Sequence, residues 1–542
     1  MIHLKSLTLP VLALEAAARY KKRTAFGVFG DRNIHNRISY NEFGRLIRLF
    51  AYRLREINIT PGDRVMLLSE NRPEWPIAYF GIALTGAVSV PILTDFSAEQ
   101  IGNIAAHAGI SAVCLTGKTA PKTSGMKMVP VINFDRFEQF LRSTDQDEAA
   151  IAEGRFPKVM EDDLASIIYT SGTTGQSKGV MLSHRNMVYT ATATRSIFKI
   201  YPRDRFLSLV TLAHVFECTM GMLIAVMSGA STTYLNGPPA PAVLLPAAQA
   251  IHPTVMLTVP LIIEKLYRSH IEPALKANPL YRFPLTRPLA LAAAGRKFMS
   301  IFGGAVRFFS IGGAALSEDV ERFLRKVQFP YALGYGMTEA APLLAGTAPF
   351  KSPLSSAGRV LKGVSLRIVD GEIQTKGPNI MSGYYRDEKR TLESFTSDGW
   401  FKTGDLGVFD KRGYLYIKGR LKAMILGPSG ENIYPEEIES LLYSSEIVED
   451  ALVYPGERGE LVALIVLSEK AKTMLAVIGD ALDSAGSALG SALLDLKKAV
   501  NKRLASFSRI SRIEIRIEPF EKTATRKIKR FLYSKRNTTF LR

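Results

Sequence analysis

Cysteine is scarce in this 542-residue chain: Cys114 and Cys218 are the only two, so no disulfide framework is implied and a reducing cytoplasm is the expected compartment. Long apolar runs are missing as well. The closest approach to a membrane span, Val210 to Leu235, carries His214 and Glu217 and runs into Asn236, so it reads as core. No secretory leader is expected, because the mixed residues Met1 to Pro10 give way to the basic run Tyr20-Lys21-Lys22-Arg23. Solenoid-period repeats and low-complexity tracts are lacking. So are helix-turn-helix, RNA-binding and zinc-finger signatures, and nucleic acid is not an expected partner.

What the chain has is length, apolar content and positive charge. At 47% hydrophobic residues it can bury a large core, and 542 residues call for at least two domains. The net charge of +19 fits phosphates, carboxylates or an anionic membrane face, and equally a solvated basic surface.

Short apolar runs alternate with helical patterns, as expected of α/β architecture. After the Pro61-Gly62 turn, Asp63 to Leu68 reads as a strand, Trp75 to Gly86 as a helix and Ala87 to Pro91 as the next strand. Leu164 to Tyr169 is a strand that ends in a Gly/Ser/Thr loop. Val180 to Leu182 follows as another strand, with Ser183 as N-cap of a helix from His184. Gly413 to Lys418 looks like a hairpin arm, and Pro435-Glu436-Glu437 starts a helix with acids in its first turn. The texture changes near Arg420 to Lys422, which sets the expected domains at 1–420 and 421–542. Ala471 to Leu504 is mostly helical by composition, with Gly486 and Gly490 opposing continuity. The tail is basic, and Lys522, Lys527 and Lys529 lie close together in it.

The segment from Tyr169 to Gly179, Tyr-Thr-Ser-Gly-Thr-Thr-Gly-Gln-Ser-Lys-Gly, is the most informative. Glycines let backbone N–H groups turn towards a ligand, hydroxyls add donors and Lys178 adds a positive charge, a set suited to polyphosphate. It is not a Walker A loop: Gly172 and Gly175 stand too close together, and Gly179 rather than Ser or Thr follows Lys178.

This loop resembles the phosphate loop of the adenylate-forming superfamily, which includes acyl-CoA synthetases, peptide-synthetase adenylation domains and luciferases. Asn71-Arg-Pro-Glu-Trp75, Gly86-Ala-Val-Ser-Val-Pro91, Gly312-Gly-Ala314 and Gly334-Tyr-Gly-Met-Thr-Glu339 match further family motifs. So do Gly383-Tyr-Tyr385, Asp398 to Gly407, Gly419-Arg420 and Thr525 to Arg530, in the family's order and over nearly the whole chain. The resemblance implies a large N-terminal adenylate-forming domain of several sheets packed with helices, and a smaller mobile C-terminal α+β domain.

It also implies roles. Thr170, Ser171, Gly172, Thr173, Thr174, Gly175 and Lys178 would hold ATP phosphates. Thr338 would meet the α-phosphate, and Glu339 with the Thr170 hydroxyl would bind Mg²⁺. Gly312, Gly313, Ala314, Tyr335 and Gly336 resemble the adenine site, and Asp405 and Arg420 the ribose site. Lys527 matches the C-terminal lysine brought to the reacting carboxylate and phosphate, although Arg526 stands where glycine often precedes it. Lys422 occupies the hinge position, and Gly430 and Glu431 belong to the face that admits coenzyme A.

Within the superfamily, Ile425 to Pro435 and Leu212-Ala-His-Val-Phe-Glu217 resemble the long-chain fatty acid–CoA ligases, with Thr211 where proline is often found. His214 is either a residue of the acyl and pantetheine channel or a core histidine. The expected substrates are a fatty acid, ATP and coenzyme A. Acyl carrier protein as acceptor and a non-catalytic binding member of the fold stay open as alternatives. The basic segment Tyr267 to Arg307 is either a peripheral contact on the inner face of a membrane or a solvated surface.

Overall fold

The computed structural model describes residues 2, 4–154, 156–171, 177–237, 239–426, 432–456, 460–469, 471–473, 482–523 and 527–533. Among them, two large sheets dominate the N-terminal four-fifths of the chain. A seven-stranded sheet contains Arg64–Leu68, Val88–Pro91, Leu164–Ser171 and Ser177–Ser183, and a nine-stranded sheet contains Phe308–Ile311 and Tyr331–Gly336.

Alternation along the strands sets the layers. Val65 and Leu67 point into a core shared with Phe26 of the other sheet, whereas Met66 and Leu68 point outwards to Ile101 and Ile104. The helices Leu9–Tyr20, Tyr40–Glu56 and Glu74–Leu84 supply the shared core. In the last of these, every residue from Trp75 to Leu84 is buried, because it lies between two sheets rather than on one. Pro241–Ile251, Arg287–Ile301 and Glu318–Lys326 cover the outer face of the nine-stranded sheet. The arrangement is helix, sheet, helix, sheet, helix.

Local chemistry places the ends. Gly62 takes φ +84° in the turn before Arg64–Leu68, and its N–H donates to the Gly86 carbonyl at 2.9 Å. Ser183 caps His184–Thr194 in a reciprocal box with Asn186. The apolar stretch after Val210 forms a buried π-helical turn, Glu217–Leu223, a short helix and the strand Ser231–Leu235. No helix of the described residues is long and apolar enough to cross a membrane.

A four-stranded antiparallel sheet, Ser365–Val369, Glu372–Lys376, Phe401–Phe409 and Leu415–Arg420, leads to the turn Leu421–Ala423. Beyond it a smaller C-terminal domain has its own core, from Ile425 through Ile438, Leu442 and Ile465 to Ile510. Its sheet joins Val448–Pro455, Leu461–Leu467 and Ile510–Arg516. The helix Pro435–Leu442 begins where the proline and acids predict. The helix Leu482–Asn501 runs through Gly486 and Gly490, because Leu489, Leu493, Leu496 and Val500 pack on that core.

The two domains meet on several side chains. Lys276 pairs with Glu446 at 2.8 Å, Arg503 with Glu318 at 3.0 Å and Lys418 with Glu437 at 3.2 Å.

Candidate active site

The parallel neighbours Phe308–Ile311 and Tyr331–Gly336 deliver two of the family motifs to one edge, since Ile311 registers with Leu333. Gly312–Gly313 follow the first strand, and Thr338–Ala340 form a single 3₁₀ turn after the second. Ligands of open α/β sheets gather at such carboxyl ends. Gly313 takes φ +88°. A β-carbon on Gly336 would stand 1.8 Å from the Pro342 carbonyl oxygen, so a close backbone approach requires that glycine.

The hairpin Leu164–Ser171 and Ser177–Ser183 brings Thr170 opposite Lys178. Gly172, Thr173, Thr174 and Gly175 lie outside the described residues, as do Gly430 and Glu431, and Ser171 is described in its backbone alone. The strand Gly383–Tyr384 pairs next to the hairpin, Tyr384 against Val180. From there the Tyr384 hydroxyl donates to Oε1 of the buried Glu339 at 2.9 Å, and its ring centroid lies 5.1 Å from Lys178 Nζ. Partial burial lowers the Lys178 pKa; Glu339 and Asp387 oppose that shift, and Arg390 and Lys422 add to it. Tyr384 and Arg390 are members of this site that the sequence reading left without a role. The signal for Tyr384 was its place in Gly383-Tyr-Tyr385.

Asp405 and Arg420 face each other across adjacent antiparallel strands, and Arg420 Nε lies 2.9 Å from Asp405 Oδ1. The Tyr335 hydroxyl donates to the other oxygen at 2.8 Å. Burial and the Asp405 charge raise the tyrosine's pKa well above its ordinary value, so it stays a donor. The motif residues Tyr335, Asp405 and Arg420 thus form one connected group. Ala314 is exposed in the loop after Gly313.

The smaller domain contributes Lys527. Its backbone is tied to that of Thr523, whose N–H donates to the Lys527 carbonyl at 2.8 Å. The flanking lysines are held elsewhere, Lys522 by Asp450 at 2.7 Å and Lys529 by Glu521 at 3.1 Å. Lys527 is exposed as a residue, yet protein surrounds its ammonium end. That crowding and Arg420 lower its pKa, while Asp405, Glu339 and Glu436 act in the opposite direction. The same ammonium adds to the burial that pushes His214 down to about 4. His214 Nδ1 accepts the Phe216 N–H at 3.1 Å, so this neutral imidazole also fixes the entry to the π-helical turn.

Carboxylates from the large domain and ammonium groups from both domains therefore converge at the carboxyl edge of the nine-stranded sheet. Such a site is suited to gather and neutralise phosphate charge.

The chain belongs to the AMP-binding enzyme family: the model of that family matches residues 14–385, and the model of an AMP-binding enzyme C-terminal domain matches residues 423–537. Within this adenylate-forming family it stands with the acyl-CoA ligases. It is 30% identical to the long-chain-fatty-acid–CoA ligase FadD15 of Mycobacterium bovis, over 81% of this chain and 80% of that one. It is 29% identical to 3-[(3aS,4S,7aS)-7a-methyl-1,5-dioxo-octahydro-1H-inden-4-yl]propanoyl:CoA ligase of Rhodococcus jostii, over 86% and 90%. Among solved structures, the o-succinylbenzoate CoA synthetase of Bacillus subtilis in complex with its acyl-adenylate shares the fold at TM-score 0.76 and 23% identity, covering 98% of this chain and 99% of that one.

Proposed function

We propose that this enzyme activates a long-chain fatty acid with ATP and transfers it to coenzyme A. In the first step a carboxylate oxygen bonds to the α-phosphorus and the bond to pyrophosphate breaks, giving acyl-AMP. In the second, the thiolate sulfur of coenzyme A bonds to the acyl carbon and AMP leaves with the bonding electrons. Two anions must meet in the first step, so cations and in-line positioning carry the catalysis.

The observation that carries this reading is the approach of two lysines from separate domains to the site's carboxylates, Lys178 to Glu339 beside the shared Tyr384 and Lys527 to Glu339 and Asp405. Lys178 and Thr170 hold the β- and γ-phosphates, together with the backbone of residues 171–175. Thr338 meets the α-phosphate, Tyr335 and Gly312 to Ala314 border the adenine, and Asp405 with Arg420 holds the ribose. Lys527 balances charge that moves between carboxylate and phosphate. Glu339, oriented by Tyr384, and the Thr170 hydroxyl are hard oxygen donors that fit Mg²⁺, an ion that takes few protein ligands beside phosphate and water. When bound, Mg²⁺ supplies neutralisation of the phosphate oxygens.

The working units in this reading are residues 1–420 and 421–542, joined at Lys422. The second domain turns after adenylation so that the Gly430-Glu431 face meets coenzyme A, and His214 borders the pantetheine and acyl channel. The names of relatives such as FadD15 support the fatty substrate. Acyl-CoA formation with ATP and Mg²⁺ across chain lengths, with acyl carrier protein assayed alongside coenzyme A, tests the reading. Maximal turnover on a long-chain acid and coenzyme A is expected, and absence of acid-dependent AMP formation overturns it. Lys422→Pro, which fixes φ, should retain one half-reaction and impair the other.

A further inference from the structure

Residues 273–317 contain no aspartate or glutamate, although Lys276, Arg282, Arg287, Arg296, Lys297 and Arg307 lie among them. The stretch folds as the helices Pro279–Arg282 and Arg287–Ile301 after Glu272–Ala277. Its inner side is core. Leu275, Phe298 and Phe302 are buried, and a β-carbon on Gly295 would stand 2.7 Å from Val327 Cβ.

Its outer side is apolar and exposed. Phe283 is 64% exposed and Leu285 93% in the turn between the two helices, with Leu280 at 46% and Leu289 at 65% on the helical residues that flank it. That turn is held in shape. The Thr286 hydroxyl donates to the Leu280 carbonyl at 2.7 Å, the Arg287 N–H to Phe283 O at 2.9 Å and Arg287 Nε to Tyr281 O at 3.1 Å. The exposure is therefore built on a rigid base.

Large apolar side chains grouped in water mark an interaction surface. A bilayer with anionic headgroups satisfies both halves of this one, acyl chains for the leucines and phenylalanine and phosphates for the arginines. Symmetric pairing with a second copy would oppose like charges. A nucleic acid would match the charge and leave Phe283 and Leu285 in water.

We propose that the Leu280–Leu289 segment, a turn with the helix ends on either side of it, is a membrane-docking surface, placing Phe283, Leu285 and Leu289 among the acyl chains of an anionic phospholipid bilayer with Arg282 and Arg287 at the headgroups. Docking stands on this surface alone and does not require the proposed reaction. A fatty acid dissolved in the same leaflet would then be met where it is concentrated.

Sedimentation of the full chain with phosphatidylcholine vesicles, with and without phosphatidylglycerol, tests this in the absence of nucleotide and acid. The wild type should partition onto the anionic vesicles about tenfold more strongly than onto neutral ones, and less so at high salt. Phe283→Ser combined with Leu285→Ser should weaken that partition about tenfold with the unfolding temperature unchanged, and Arg282→Gln should weaken it less. Failure of the wild type to bind, equal binding by the double serine variant, or a change of oligomeric state in that variant would overturn the proposal.

Discussion

Tyr384 joins two opposite charges of the site: its hydroxyl donates to Glu339 at 2.9 Å, and its ring lies 5.1 Å from the Lys178 ammonium. Tyr384→Phe keeps the ring and removes the donor. A hydrogen bond to a charged group contributes about 1.5–3 kcal/mol, so adenylation should fall at least about tenfold and need more Mg²⁺ for half-saturation. Tyr384→Leu also removes the ring–cation contact and should fall further. ATP–pyrophosphate exchange titrated with Mg²⁺ measures both; a phenylalanine variant with wild-type Mg²⁺ dependence would separate Tyr384 from the metal-binding role proposed for Glu339.

Lys527→Ala should lower adenylation about 10²- to 10³-fold, the cost of losing one preorganised donor to developing charge. Lys522 and Lys529 are engaged by Asp450 and Glu521, so alanine there should leave the exchange rate within about threefold and cost about 1 kcal/mol of stability or less. Pyrophosphate exchange and thermal unfolding on the three variants check this. Near wild-type exchange in Lys527→Ala would remove that residue from the reaction.

Much of this organisation is legible in the residues. Leu164 to Tyr169, Val180 to Leu182, the Ser183 cap and the Pro435 helix start are local patterns, and each becomes the element expected. The link from Tyr384 to Glu339 spans 45 positions and that from Tyr335 to Asp405 spans 70, and no local periodicity encodes either. The different surroundings of Lys522, Lys527 and Lys529 depend on the backbone bond from Thr523 to Lys527 and on Asp450, an acid far away in sequence. The π-helical turn at Glu217–Leu223 is likewise hidden, because its apolar residues fit an ordinary helix equally well.

The lysines make the site sensitive to alkali. Burial lowers the pKa of Lys178, and the Lys527 pKa is lowered by its own crowding, so each ammonium loses its proton at lower pH than a solvated lysine. The alkaline limb of kcat/KM for ATP should therefore begin below the ordinary lysine value of 10.5. Lys178→Arg keeps a charge through that range and should move the limb to higher pH, with a lower plateau because the guanidinium is shaped differently. A limb that stays in place would assign the titration to Lys527 instead.

Glu217 should reveal itself through stability rather than turnover. Ser208 donates to its Oε1 at 2.6 Å, Oε2 has no hydrogen-bond partner among the described residues, and a β-carbon on Gly221 would stand 2.7 Å from the carboxyl carbon. Burial raises its pKa from 4.5 to about 8. The folded value exceeds the unfolded one, so its stabilising contribution is complete below pH 4.5 and is lost as pH rises through about 8. A glutamine side chain in its place does not titrate and carries no such loss. The melting temperature of Glu217→Gln minus that of the wild type should thus increase between pH 5 and pH 8, whatever its sign at pH 5. The buried neutral His184 shifts stability in the opposite direction below its ordinary value, but equally in both proteins, so it cancels in the difference. Calorimetry at the two pH values measures that difference, and an unchanged gap would mean that Glu217 is ionised in the fold.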